Sequence, residues 1–221
     1  MQLSDVIKGR RSIRKFKPIA IPQNTIEDLL KEARWAPSGG NMQPWELYVL
    51  TGRPLEEFKA ANLKKMADKE APSPDVPMSP VWPDDFKRRY MEFAESMFSS
   101  ISVRREDKEA RSGLYRSMAS LFDAPCLIVA CIPKSIPADY SMFDLGLITQ
   151  TICLLAYDKG LGTLIMYAAV MYPAILRKIA SIPEDTRIIV GIAVGYPDDE
   201  SPLNKFERKR LELQQYVKLV S

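Results

Sequence analysis

Residues 125–133 read PCLIVACIP, an apolar run of nine residues that begins and ends at a proline. A run of this length without polar alternation is typical of a β-strand that is buried on both faces. The runs 163–167 and 186–194 have the same character, and alternating residues over 45–51 predict a strand with one apolar face. We therefore expect four strands, with 125–133 as a central strand of their sheet.

Helical patterns separate these strands, and this order predicts a three-layer α+β or α/β domain. Residues 25–36 have apolar side chains at positions i, i+3, i+4 and i+7, and Asn24 with Glu27 fits a capping box at the start of that helix. Residues 139–160 form an apolar pattern with little charge, which predicts a helix buried on most sides. Further helices are predicted at 54–68, 84–105 and 107–122, and from Tyr172-Pro173 onward.

The segment 69–83 contains five prolines and has no apolar period. Its length indicates an insertion or a lid rather than an ordinary connection. Together with the helical patterns that follow, it predicts an insertion at about 69–115 within a single domain of 221 residues, because no linker divides the chain. The aromatic residues of this insertion fit either a lid over a ligand or an amphipathic helix that packs its own core.

The composition excludes several kinds of chemistry. The chain has no histidine, which excludes Ser-His-Asp and Cys-His catalysis and histidine metal ligands, and we expect no metal site. Its formal charge of +3 is too small for a general nucleic-acid binder. The three cysteines lie in apolar runs and are expected to be buried free thiols. Without a signal-peptide pattern or a membrane-spanning run, we expect a cytoplasmic protein that is not bound to a membrane.

A basic stretch near the N-terminus is the first candidate site. Residues 9–16 read GRRSIRKF, and in an extended segment Arg10, Ser12 and Arg14 lie on one side while Ile13 points to the other. Two guanidinium groups beside a hydroxyl suit a phosphate. A solvated basic stretch is the alternative interpretation. The tail residues Lys205, Arg208, Lys209 and Arg210 fit a second phosphate contact or, again, a solvated basic segment.

Two further segments could face a ligand. Residues 34–45 read RWAPSGGNMQPW, and the loop offers the Ser38 hydroxyl, exposed backbone amides, and the carboxamides of Asn41 and Gln43. This set can hydrogen-bond a heterocycle, although an ordinary helix-to-strand turn fits equally well. Residues 160–169 read GLGTLIMYAA and place small residues after a strand, which fits either a ligand-facing end or a buried turn. Together these features suggest a phosphorylated planar redox cofactor, which needs no side-chain acid or base.

The segments GRRSIRKF, APSGGNMQPW, KGLGT and IPEDTRIIVGIAVGYPD, in this order, resemble those of the FMN-dependent nitroreductase superfamily. The resemblance covers nearly the whole chain outside 69–115. It implies a nitroreductase-like three-layer α+β fold, with a mixed, mainly antiparallel sheet flanked by helices. It also implies an intertwined homodimer with FMN at the interface, in which residues 216–220 reach the partner's sheet.

The resemblance also implies a set of cofactor-binding residues. The basic N-terminal stretch would contact the FMN phosphate and ribityl chain, the loop at 37–43 would touch the flavin of the other subunit, and the strand after GLGT would lie beside the ring. A tail arginine would contact the phosphate, with Arg210 preferred and Arg208 as the alternative. The implied residues are Arg10, Arg11, Ser12, Arg14, Pro37, Ser38, Gly39, Asn41, Gln43, Ile165, Met166, Tyr167, Ala168, Arg208 and Arg210.

The implied activity is that of a flavoprotein oxidoreductase. NADH or NADPH would give hydride to flavin N5, and an electron-poor acceptor, such as a nitroaromatic or a quinone, would take it in a ping-pong mechanism. No side chain is expected to be catalytic, because the flavin carries the chemistry. The alternatives are a reductive dehalogenase or flavin-remodelling enzyme of the same fold, or a flavin-binding protein without turnover.

Overall fold

The computed structural model of the protein describes residues 1–77, 81–104 and 106–220. Residues 78–80 of the Pro-rich loop, residue 105, where the helix 84–105 is predicted to end, and residue 221 lie outside the described residues.

The centre of the protein is a four-stranded antiparallel sheet. Its strands are β1 (Glu46–Thr51), β2 (Cys126–Pro133), β3 (Gly162–Met166) and β4 (Thr186–Gly195). Their order in the sheet is β1-β2-β4-β3, so β2 is a central strand, as predicted. An isolated parallel bridge between Ser12 and Thr163 places the N-terminal segment beside β3. The strands pair antiparallel, with this one parallel bridge at the β3 edge, which confirms the α+β fold class.

Eight helices surround the sheet in the described part of the chain. They are α1 (Leu3–Gly9), α2 (Gln23–Ala33), α3 (Gly52–Ala67), α4 (Asp84–Ser100), α5 (Lys108–Ala119), α6 (Ala138–Asp158), α7 (Pro173–Ala180) and α8 (Leu213–Tyr216). The Schellman-type end of α6 agrees with the predicted glycine stop: Gly160 has φ +74°, and the Leu161 N–H donates to the Ala156 carbonyl at 2.8 Å.

Two apolar layers enclose the sheet, because alternate residues of β2 point to opposite faces. Leu127 and Val129 pack in the layer that includes side chains of α3 and α7, whereas Ile128 and Ile132 pack in the layer beneath α2 and α6. These β2 side chains are fully buried, and each contributes about 1.5–3 kcal/mol to folding. The three-layer arrangement follows from this alternation.

The predicted capping box at Asn24 and Glu27 is wrong. Helix α2 begins at Gln23, one residue before Asn24, and no side chain caps it. Pro22 precedes the helix, and its carbonyl accepts the N–H of Thr25 at 3.0 Å and of Ile26 at 3.3 Å. The extended conformation of Pro22 therefore starts the helix before Asn24 can act as a cap. The predicted apolar stripe is confirmed, since Ile26, Leu29 and Ala33 are buried.

Three other helix predictions need correction. The helix predicted at 84–105 ends at Ser100, because Ile101 leaves the helical conformation with φ −112° and ψ 15°. In this single chain α6 is not buried on most sides, because Tyr140 is 80% exposed and Phe143 is 67% exposed. The helix predicted to end at Phe122 ends at Ala119, because Leu121, Phe122 and Asp123 have positive φ values of 59°, 53° and 64°. Left-handed residues cannot continue a right-handed helix.

The cysteine prediction is confirmed, since Cys126, Cys131 and Cys153 are all free and buried. Burial raises the pKa of Cys126 and of Cys131 to about 12. Among the described residues no helix is both long enough and apolar enough to cross a membrane, and no group of three or more Cys, Asp or Glu side chains is arranged to hold a metal ion.

Candidate functional site

A cavity of about 490 Å³ lies between the N-terminal segment, helix α4 and the C-terminal segment. We call it the arginine cavity. Six of the predicted site residues line it: Arg10, Arg11, Ser12, Arg14, Arg208 and Arg210. The structure therefore brings together the two basic segments that lie about 200 residues apart in the sequence.

The extended backbone after α1 explains how the N-terminal residues reach this cavity. The Ile13 N–H donates to the Thr163 carbonyl of β3 at 2.9 Å, and the Ile13 side chain is buried. Gly162 permits this close approach, because a Cβ at that position would lie 2.5 Å from Ile13 Cγ1. With Ile13 directed into the core, Ser12 and Arg14 face the cavity, as the alternation predicts.

The guanidinium groups of the cavity are crowded. Burial, and then the charge of Arg11, lowers the pKa of Arg14 to about 10. Burial and the charge of Arg208 lower the pKa of Arg11. Burial, and then the charges of Arg210 and Arg10, lower the pKa of Arg208. Arg14 also lies over two aromatic rings, 5.1 Å from the Phe93 centroid and 5.5 Å from the Phe206 centroid. The fully charged cluster therefore raises the free energy of this part of the fold.

No carboxylate in the described chain lies within 4.0 Å of the five predicted cavity arginines. In addition, the Nε atoms of Arg10 and Arg11 are buried without a hydrogen-bond partner. Buried polar atoms in proteins are normally hydrogen-bonded, and buried charges are normally paired. An anion with several acceptor oxygens would supply both the missing negative charge and the missing hydrogen-bond acceptors, so the residues present fit a phosphate group.

The two tail arginines differ in how their guanidinium groups are used. Arg208 donates from Nη1 to the Arg10 carbonyl and from Nη2 to the Lys8 carbonyl at 2.8 Å, which joins the tail to the end of α1. Arg210 donates one hydrogen bond, from Nη1 to the adjacent Lys209 carbonyl at 2.8 Å. Arg210 therefore keeps more donors available than Arg208, and which of the two contacts a phosphate stays a prediction.

Asn204 is a positioning residue that the sequence did not reveal. Its side-chain oxygen accepts the Arg14 N–H at 2.6 Å, while Nδ2 donates to the carbonyls of Lys15 at 2.8 Å and Asp198 at 2.9 Å. Asn204 is 5% exposed. Its place at the start of the basic run NKFERKR is the one available signal, and the charge pattern of that run indicates nothing about the role of Asn204.

The loop at 37–43 does not line the arginine cavity of its own chain. Pro37, Ser38 and Gly39 border a separate space of about 870 Å³, which we call the apolar groove. Its other wall is the exposed side of α6, including Tyr140 and Phe143. A single chain therefore keeps the two predicted halves of the site apart.

The conformation of this loop is unusual. Gly40, Asn41 and Gln43 have φ values of 55°, 57° and 50°, which glycine adopts easily and other residues only rarely. The Ser38 hydroxyl accepts the Gln43 N–H at 2.9 Å, and buried Asp144 of α6 accepts the Gly39 N–H at 3.0 Å. Strained backbone held by such bonds is common at functional sites. Sequence reasoning missed Asp144, although an acidic residue in an apolar helix is a signal.

The residues at the end of β3 face different ways. The Ile165 side chain is 44% exposed, whereas the Met166 side chain is buried in the core. Any contact between Met166 and a ligand would therefore use its backbone. Tyr167 and Ala168 are half-buried, and the Tyr167 hydroxyl donates to the Val76 carbonyl at 2.8 Å. None of these four residues lines the arginine cavity of the described chain.

The first part of the Pro-rich loop is fastened to the body of the protein. Asp75 Oδ2 accepts from Arg177 Nη2 at 2.6 Å and from the Ile188 N–H at 2.8 Å. The Tyr172 hydroxyl donates to the Glu70 carbonyl at 2.9 Å, and the Ser73 N–H donates to the Met171 carbonyl at 3.0 Å. Residues 70–76 are therefore a fixed strap beside the end of β3.

Helix α4 has features of both structures predicted for the insertion, a lid over a ligand and an amphipathic helix that packs against the core. Met97 is buried, so one end of the helix packs against the core. Toward the other end Trp82, Phe86 and Tyr90 are 40–55% exposed. Whether this aromatic face covers a ligand stays a prediction.

The antiparallel sheet between two helical layers, with arginines clustered beside it, defines an α+β protein with a candidate anion-binding cavity. Residues 7–196 match the model of the Nitroreductase family, and the chain belongs to that family.

Individual relatives agree with this assignment. The chain is similar to a 4-nitrobenzoate reductase of Pseudomonas putida, with 29% identity over 209 residues that cover 93% of this chain and 89% of that protein. A 4-nitrobenzoate reductase of Nocardioides sp. (strain LMS-CY) is 28% identical over 222 residues, covering 96% of this chain and 87% of that protein. The crystal structure of the FMN and NADPH-dependent nitroreductase NfnB from Sphigopyxis sp. strain HMH superposes with a TM-score of 0.95 and 25% identity, covering 100% of both chains.

Proposed function

We propose that the protein is an FMN-dependent oxidoreductase that uses NADH or NADPH to reduce an electron-poor small molecule, such as a nitroaromatic or a quinone. The observation that carries this proposal is the arginine cavity, where Arg10, Arg11, Arg14, Arg208 and Arg210 lack carboxylate partners in the described chain. Relatives named as nitroaromatic reductases, and a similar structure named as FMN- and NADPH-dependent, support the assignment.

In this proposal the arginine cavity holds the phosphate of FMN. Arg10, Arg11 and Arg14 supply charge, and the two orphaned Nε–H groups gain acceptors. The Ser12 hydroxyl and the free donors of Arg210 add hydrogen bonds to the phosphate oxygens. Asn204 keeps the backbone of Arg14 in place, so the cluster is preorganised before the anion binds.

Bound in this cavity, FMN would supply the redox chemistry, which is hydride acceptance at N5 from NAD(P)H and reduction of the acceptor in ping-pong order. The role of the chain is to position the reactants. The strap at 70–76 fixes Tyr167 at the end of β3 through the Val76 carbonyl. The sequence has no histidine to act as a general acid, and in this proposal protons come from water or from the acceptor.

We further propose that the active form is a homodimer in which the loop at 37–43 completes the flavin site of the partner. This arrangement covers Trp35, Met42, Tyr140 and Phe143, which are 67–81% exposed in the single chain. It also gives the tail a binding surface, since Leu219 and Val220 are more than 90% exposed. Exposed apolar surface of this kind is typical of subunit interfaces.

Anaerobic spectroscopy of the purified protein tests the proposed function. We expect a yellow protein that binds FMN and bleaches with NADH or NADPH, and whose colour returns when a nitroaromatic or quinone is added. A colourless protein that fails to bind added FMN would refute the proposal. Bleaching without steady-state turnover would instead indicate a flavin-binding protein, and turnover only with a halogenated substrate would indicate a dehalogenase. Analytical ultracentrifugation of the same sample tests the dimer, and a monomer with full activity would contradict it.

A further inference from the structure

The arginine cavity carries more positive charge than one phosphate neutralises. Eight cationic side chains line it, against the two carboxylates of Glu92 and Glu207, which leaves a formal excess of six positive charges. A phosphate monoester carries at most about two negative charges at neutral pH. Positive charge therefore remains in the cavity after a phosphate is bound, and it can attract a second anionic group.

Helix α4 supplies part of this excess. Arg89, Phe93 and Ser96 are spaced at i, i+4 and i+7, so one face of the helix points into the cavity. Phe93 lies beneath the Arg14 guanidinium, which places this face next to the proposed phosphate contacts. The face thus combines an aromatic ring, a hydroxyl and a cation close to the cofactor position.

Arg88 and Arg89 both line the cavity but differ in their partners. Arg88 pairs with Glu92 at 3.1 Å and with Asp85 at 3.4 Å, so its charge is compensated on the helix surface. Arg89 is half-buried, and its guanidinium carbon lies 4.6 Å from the Phe86 ring centroid. Within the described ranges the Arg89 side chain forms neither an ion pair nor a hydrogen bond. The Phe86 ring therefore holds the Arg89 guanidinium in place, and the guanidinium N–H groups remain available as donors.

We propose that Arg89 is a specificity-determining residue that binds an anionic group on the molecule entering the cavity beside the cofactor phosphate. The inference rests on the proposed function and deepens it. Two sources have this chemistry: the carboxylate of an aromatic acceptor, and the 2′-phosphate of NADPH. In both cases an arginine fork matches the oxygens, and Phe86 or Phe93 offers a ring for stacking.

The test compares matched pairs of probes that differ in one anionic group. The protein is first titrated with FMN, and the Arg89→Gln variant is kept only if it binds FMN as the wild type does. Isothermal titration calorimetry then measures the binding of 4-nitrobenzoate against nitrobenzene, and of 2′,5′-ADP against 5′-AMP. We expect Arg89→Gln to weaken one anionic probe about ten-fold, the loss of one charge-assisted hydrogen bond, while its neutral or singly phosphorylated counterpart is unchanged.

Two control variants make the result specific. Arg89→Lys keeps the charge but not the planar fork, so it should restore only part of the lost affinity. Arg53→Gln removes an arginine that is exposed on α3 and paired with Glu57, and it should change none of the four affinities.

The pattern of losses assigns or rejects the site. A loss confined to 4-nitrobenzoate assigns the subsite to the acceptor, and a loss confined to 2′,5′-ADP assigns it to the reductant. The proposal would be overturned if Arg89→Gln changed the affinities of both probes in each pair equally, or changed none of the four affinities. Absence of FMN binding by the wild type would refute the proposed function instead, and because the calorimetric measurement does not need the flavin signal, the two failures are distinguishable.

Discussion

Gly162 offers a sharp test of how the phosphate-facing segment is positioned. A Cβ added at this residue would lie 2.5 Å from Cγ1 and 3.1 Å from Cβ of Ile13. Atoms cannot remain so close, and Ile13 is tied to β3 by its N–H bond to the Thr163 carbonyl. The substitution Gly162→Ala must therefore push the segment that carries the cavity arginines away from the sheet.

The expected size of the effect follows from overpacking, which costs about 1–3 kcal/mol. For a chain of this length each kcal/mol lowers Tm by about 2–4 °C, so thermal denaturation should show a decrease of about 2–12 °C. The Kd for FMN, measured by fluorescence quenching, should rise at least about ten-fold, as for the loss of one charge-assisted hydrogen bond.

Gly113→Ala in α5 is the matched control for this variant. The nearest atom to its added Cβ is Arg116 Nη2 at 4.0 Å, and an alanine in a helix stabilises it by about 0.5–1 kcal/mol relative to glycine. If Gly162→Ala shows the same Tm and FMN affinity as Gly113→Ala, then Ile13 does not set the position of the arginines and the reasoning fails.

Three further predictions address the cluster, the strap and the thiols. Arg14→Met should leave the Tm of the ligand-free protein unchanged or higher, because the guanidinium is buried beside Arg11, yet raise the Kd for FMN at least about ten-fold; a marked loss of ligand-free Tm would contradict the crowding argument. Asp75→Ala should lower the free energy of unfolding in urea by about 1–3 kcal/mol, because the Ile188 N–H loses its acceptor and Arg177 keeps as its carboxylate partner in the described chain only Glu184, at 3.4 Å and 85% exposed; a change below about 0.5 kcal/mol would show that the strap is not anchored there. The thiols of the folded protein should resist iodoacetamide at pH 9, since burial raises the pKa of Cys126 and Cys131 to about 12; rapid alkylation of the folded protein would refute this. The free energy of unfolding should also fall as the pH rises from about 9 toward 12, because the thiols of the unfolded chain release protons that those of the folded chain retain.

The sheet was predictable from the sequence because its signals are local. The continuous apolar runs of β2 and β4 predict burial on both faces. The predicted bounds of each strand lie within a residue or two of the observed bounds. The alternation around Ile13 likewise predicted which side chains of the N-terminal segment share a face.

The supports of the candidate site were not predictable, because their partners are distant in the sequence. Asn204 holds Arg14 across 190 residues, Asp144 holds Gly39 across 105, and Asp75 reaches Arg177 across 102. Each of these side chains sits in a segment whose local pattern indicates only a helix or a loop. The exposure of Tyr140 and Phe143 was missed for a related reason, since an apolar helix looks the same whether its own chain or a partner covers it.

A comparison of FMN with riboflavin measures the central claim most directly, because the two molecules differ only in the phosphate. If the arginine cavity binds that phosphate, FMN should bind at least about 100-fold more tightly than riboflavin, since two charge-assisted hydrogen bonds contribute about 1.5 kcal/mol each. In Arg14→Met this ratio should fall while riboflavin affinity stays the same. Equal affinity for FMN and riboflavin in the wild-type protein would contradict the account.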